Sequence, residues 1–103
     1  MIVTSYKSHK LSNAMSAIAF HYPAMTNGGD MIADFAKASK KGDEKVFPVL
    51  LICYAAFRKA GDEEAKNKTA EELVDEVNLF SIEEQTEFLK VMTSLLNESA
   101  KKD

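Results

Sequence analysis

Three features of this 103-residue sequence predict a mainly α-helical fold: a single small domain of about five helices around a buried central helix, with an extended N-terminal arm or short strand. Apolar residues recur at helical spacing through most of the chain. Helix start signals (Ser or Thr with Glu three residues on) and stopping glycines punctuate it. One run, FPVLLICYAAF from Phe47 to Phe57, is apolar on nearly every side, which suits a helix enclosed by others.

Residues 1–11 (MIVTSYKSHKL) alternate weakly, with Ile2, Thr4 and Tyr6 in one phase, and predict an extended arm or edge strand. SNAMSAIAFHY (12–22) predicts a helix capped by Ser12 or Asn13 and ended by Pro23, since the residue before a proline is pushed out of helical geometry. Met15, Ile18, Ala19 and Tyr22 would share its face. PAMTNGGD (23–30) is turn chemistry, and Asp30 can cap a following helix that carries Met31, Ile32, Phe35 and Ala38 on one side. Gly42 closes that helix, with Lys40 and Lys41 in its last turn, where cations suit the dipole.

Pro48 predicts the start of the central helix, which runs through Ala60 to stop at Gly61. A mixed-charge loop over 61–68 follows. Thr69 with Glu72 and Ser81 with Glu84 are two capping boxes, so the last third divides into two helices. Their stripes are Leu73, Val74 and Val77, then Phe88, Leu89, Met92, Leu95 and Leu96. Residues 97–103 read as a frayed tail.

The composition, 46% apolar and 28% charged, is that of an ordinary globular chain. A domain this size buries only about two-thirds of its unfolded surface, so association with copies of itself would add useful burial. The lone Cys53 cannot close an intramolecular disulfide and fits a reducing compartment. No cationic stretch followed by an apolar one opens the chain, so no secretory signal is expected, and the Phe47–Phe57 run is far short of the ~20 residues that span a bilayer. Residues 1–60 carry a net +4, with KASKK and FRK the locally basic runs, and residues 61–103 a net −7. This is no nucleic-acid footprint, and each half reads first as a solvated face, although opposite-signed ends also suit head-to-tail contact.

Catalytic frames are missing from the sequence. His9 and His21 sit at no ligand spacing to Cys53 or to paired carboxylates, so neither a metal nor a cofactor is expected. Cys53 lies in LLICYAA and reads as a buried, inert thiol. NGGD lacks the lysine of a phosphate loop, and no nucleophile elbow is present. An enzyme is therefore not expected. What remains is surface: Met15, Phe20, Tyr22, Met25, Met31 and Phe35 are candidates for an apolar groove that takes a partner helix. A small regulatory or anti-defence protein that binds one globular host protein is the alternative.

In its order of features the chain resembles the tail assembly chaperones of long-tailed bacteriophages, especially those of Gram-positive hosts. The likeness covers an extended IVTSYKSHKL, small helices, the apolar FPVLLICYAAFRKAG, then KTAEELVDEV and a closing IEEQTEFLKVMTSLLNES. The resemblance implies a late, non-catalytic protein of the host cytoplasm, absent from the virion. It would oligomerise as rings or spirals and shield the hydrophobic helices of the tape measure protein. Better-marked members open on a β-hairpin, which is not evident in residues 1–11. Relatives are often made in two lengths by ribosomal slippage, and Lys101–Lys102 is what an adenine-rich slippery run would encode.

Overall fold

The computed structural model, which describes residues 3–6 and 9–101, opens on an antiparallel hairpin of β1 (Val3–Tyr6) and β2 (His9–Ser12). The register runs from Val3 opposite Ser12 to Tyr6 opposite His9. Of the expected extended arm or short strand, the strand is what forms, and it pairs as a ribbon in which backbone groups that an unpaired arm would leave to water bond across strands. Nothing like Asn-Gly sits at the reversal, so the usual hairpin signal was missing. The expected contribution of Ile2 falls outside the described residues.

Ser12 and Asn13 do not cap the next helix, because β2 occupies Ser12. Its hydroxyl accepts from the Ala14 amide at 3.2 Å, and the Asn13 side chain donates to the Leu95 carbonyl at 3.5 Å. The helical run starts at Met15, passes through a π-helical turn at Ala17–His21 and continues as α1 (Tyr22–Met25). Pro23 therefore does not end it. In an α-helix the proline ring would press on the carbonyl four residues back; a π turn, with the Tyr22 amide reaching Ala17 O, moves that carbonyl aside. The wider turn also changes the inward face. Ala17 and Tyr22, five apart, are buried, whereas Met15 and Ala19 point outward.

Asn27 and Gly28 make the next turn, both with positive φ. Asp30 then caps α2 (Met31–Lys41) by accepting from the Ala33 amide at 3.0 Å. Met31 and Ala38 are buried, while Ile32 and Phe35 pack at the core's margin. Gly42, at φ 110°, joins α2 directly to α3 (Asp43–Gly61), in a conformation that a residue with a Cβ adopts only under strain. The central helix thus begins five residues before the expected Pro48. Pro48 is exposed and the carbonyl it leaves unbonded is that of exposed Glu44, so water can satisfy it.

Every residue from Cys53 to Arg58 is buried, and α3 packs against β2, the π turn, α1 and α2. Asp62 caps a 3₁₀ turn at Glu63–Asn67, where a loop was expected, and α3 also packs on this turn. Next come α4 (Ala70–Asn78) and α5 (Ile82–Lys101), both of which touch α3. Ser81 and Glu84 form a reciprocal capping box: the Ser81 amide donates to the Glu84 carboxylate at 2.9 Å and the Glu84 amide to the Ser81 hydroxyl at 3.2 Å. Thr69 accepts from the Glu72 amide. Leu73 and Val77 are buried, as are Phe88, Met92, Leu95 and Leu96; Leu89 is exposed and leaves the expected stripe. The Phe88 ring meets Phe47, Tyr54 and Phe80 edge-to-face, with centroids 5.4–6.3 Å apart. Within the tail expected over 97–103, α5 continues as far as Lys101, while 102 and 103, and with them the Lys101–Lys102 pair, lie outside what is fully described. Among the described residues no helix is long and apolar enough to cross a membrane.

Gly61 does more than stop a helix. A Cβ there would lie 2.9 Å from Ser12 N and 3.1 Å from Lys10 O, so the hairpin rests on bare backbone. In an open helix Gly→Ala adds ~1 kcal/mol of stability. Gly61→Ala is expected to do the reverse and lower the melting temperature; an equal or higher one would show that β2 is not seated there.

Candidate functional site

The six residues expected to line one groove do not do so. Tyr22 and Met31 are core residues, and the Tyr22 hydroxyl donates to Asp34 Oδ2 at 2.8 Å. Burial, then the Asp34 carboxylate, push that hydroxyl far above the usual tyrosine range. Met25 and Phe35 are half-buried and pack against the core. Met15 and Phe20 alone stand out, 70% and 71% exposed. Met15 precedes the π turn and Phe20 lies within it, five residues apart, the spacing that also puts Ala17 and Tyr22 together on the inner side. Periodicity at 3.6 residues could not separate these two sets, because the local period is wider.

His21, between Phe20 and Tyr22, is held below the ordinary histidine range by burial first and then by the charges of Lys59 and Lys66. Cys53 is fully buried, and burial, with a lesser push from Asp34, raises its thiol to about 12. A thiol so raised is protonated at neutral pH and is no nucleophile.

A second constellation was not legible in the sequence. Arg58, in FRK, reads as part of a solvated basic patch, yet it has no exposure at all. Its Nη2 donates to Asp62 Oδ2 at 2.9 Å, one turn on, and its Nη1 donates to Glu76 Oε2 on α4. Lys68 Nζ reaches the other Glu76 oxygen at 3.2 Å, and the Arg58 guanidinium lies 5.8 Å from the Tyr54 ring centre. His9, on β2, approaches Asp62 at 3.4 Å and Glu76 at 4.0 Å. The Arg58–Asp62 spacing of four was the one available signal; Glu76 and His9 arrive through tertiary packing. Burial pushes the Asp62 carboxyl up. Hydrogen bonds from Arg58 and the Glu64 amide outweigh that, with the charges of Arg58 and His9, and hold it below the usual carboxylate range.

His9, Asp62 and Glu64 bring ligand-type atoms within 4.8 Å of one another, which sequence spacing did not foresee. Both Asp62 oxygens are already engaged, one by Arg58 and the other by the Glu64 amide. A dication would have to sit beside a buried guanidinium. His9 and Asp62 belong to the ion-pair network, and the trio does not fit a metal centre.

Removing both negative charges by Asp62→Asn with Glu76→Gln would leave a buried cation without a counter-charge and is expected to cost about 3–5 kcal/mol in urea unfolding. Arg58→Met, which keeps bulk and drops the charge, is expected to cost less; the opposite order would contradict the burial. Because the folded Asp62 pKa is depressed, its contribution is present above the unfolded value of about 3.9 and is lost as pH falls through the folded value. Stability should drop below about pH 4, and Asp62→Asn should flatten that limb. Labelling of Cys53 by a thiol reagent at pH 7 should proceed only at the rate of opening. Compared with known protein families, curated proteins and solved structures, the chain matches none of them.

Proposed function

We propose that this chain is a non-catalytic tail assembly chaperone of a long-tailed phage, one that self-associates and shields the amphipathic helices of the tape measure protein. The observation that carries the reading is the outward Met15–Phe20 pair. An adaptable thioether and a rigid ring, left in water by the π turn, are the side chains that grip an apolar helix face. The N-terminal hairpin supports the resemblance at the point where the sequence alone departs from it. Repetition of the pair over an oligomer adds avidity, which suits a long partner that presents one apolar face after another.

The test uses a tape measure segment, or a designed amphipathic helix with Leu at helical spacing, and follows its aggregation by light scattering. The wild-type chain should keep it in solution. Met15→Ser with Phe20→Ser should lose that capacity while keeping the wild-type melt, since both side chains are exposed. At about 2 kcal/mol per anchor the affinity should fall roughly 30-fold or more for each. A double variant that suppresses aggregation normally would remove the reading. Capture of one folded protein, with no effect on the helix, would favour a monomeric regulatory binder instead.

A further inference from the structure

The second pair of outward apolar residues stands at the α4–α5 corner, where Leu79 is 86% and Ile82 83% exposed. Between them Phe80 turns inward against Phe88, and the Ser81–Glu84 capping box fixes the corner from both sides. Gln85 Nε2 adds a hydrogen bond to the Phe80 carbonyl at 3.3 Å. The knob is therefore held in place before any partner arrives, which lowers the ordering cost of binding. Asp75, one turn back on α4, and Glu83, next to Ile82, are exposed beside it and join no ion pair among the described residues.

A complementary surface lies at the α2–α3 joint. There a pocket of about 280 Å³ is lined by Tyr22, Ala38 and Val49, with Lys37, Lys41 and Lys45 around it. The three lysines are exposed and join no ion pair among the described residues. The one acid present, Asp34, is engaged by the Tyr22 hydroxyl. Apolar lining within a cationic rim is the counterpart of an apolar knob with acidic flanks. The cleft beside the hairpin would be a poor receptor, since Asp62, Glu63 and Glu64 line it. A third, along α5, offers Lys90 against Glu98 and so no net attraction.

The geometry points to a second copy of this chain as the occupant: the Leu79–Ile82 corner of one copy docks in the Lys37–Lys41–Lys45 pocket of the next. This rests on the proposed function only in taking the chain to self-associate. The two surfaces belong to different elements, so the pairing joins unlike faces of successive copies. With knob and pocket engaging different neighbours, each added copy leaves one free knob and one free pocket, and the assembly grows as a ring or spiral. Exposed charges on both rims make it salt-sensitive, since screening acts over ~8–10 Å at ~0.1–0.15 M.

Complementation tests the pairing. Leu79→Lys with Ile82→Lys destroys the knob and keeps the pocket; Lys37→Glu with Lys41→Glu and Lys45→Glu reverses the pocket rim and keeps the knob. Each variant alone should be monomeric by light scattering under conditions where the wild type forms multimers. An equimolar mixture should give a dimer and nothing larger, one intact knob in one intact pocket. If the triple Glu variant loses its helical melt, the triple Gln variant takes its place. Wild-type multimers from either variant, a mixture that stays monomeric, or a wild type monomeric at high concentration would each overturn the pairing. Helix capture is read separately at Met15 and Phe20, so association can fail while capture stands, and the reverse.

Discussion

Six successive residues of α3, Cys53 to Arg58, are shut away from water, and most of the architecture follows from that enclosure. A helix with no solvent face needs neighbours on every side. This chain supplies them in small pieces: hairpin, π turn, α2, 3₁₀ turn, α4 and α5. The sixth buried residue is a cation, which adds a sharper demand. A guanidinium in the interior must have acceptors, or its desolvation goes uncompensated. Asp62 meets the demand from the end of the same helix, and Glu76 ties α4 to it. The position of α4 is set by charge as well as by Leu73 and Val77.

Where local chemistry decides a feature, the sequence was readable. The Asp30 and Ser81 caps, the Gly42 break, the turn at Asn27 and the burial of α3 all follow from residue type and spacing. Errors fell where a distant contact or an unusual period intervened. Both prolines were read as boundaries, yet Pro23 is absorbed by a π turn and Pro48 faces solvent. Arg58 looked like a surface charge because neither Glu76 nor His9 is near it in sequence. Of the supposed groove, Tyr22 and Met31 went to the core, since a sequence shows that a side chain is apolar and not which way a widened turn aims it.

Among the described residues the most exposed large apolar side chains stand in two pairs, and a backbone device turns each pair outward. The π turn aims Met15 and Phe20 away from the core while sending Ala17 and Tyr22 into it. At the α4–α5 corner, Phe80 packs against the core and Leu79 and Ile82, on either side, cannot follow. Neither exposure is a packing defect in one residue. Each results from satisfying a neighbour, which is why both come as defined pairs on fixed backbone and not as scattered apolar residues.

The charge split has the same kind of origin. Short helices that each begin with a capped first turn collect acids there, because the dipole and the free amides favour them. Glu63 and Glu64, Glu71 and Glu72, Glu83 and Glu84 all occupy such turns, and three starts fall within the last 43 residues. The first half has fewer acidic starts, and the π turn and α1 have no acid in their first turns. Half of its cations instead sit at helix ends: Lys40 and Lys41 close α2, and Arg58 and Lys59 close α3. Those at helix ends first serve their own helix. Summed along the chain, those local choices leave one end of the sequence basic and the other acidic, so any attraction between copies uses charge that helix formation had already put in place.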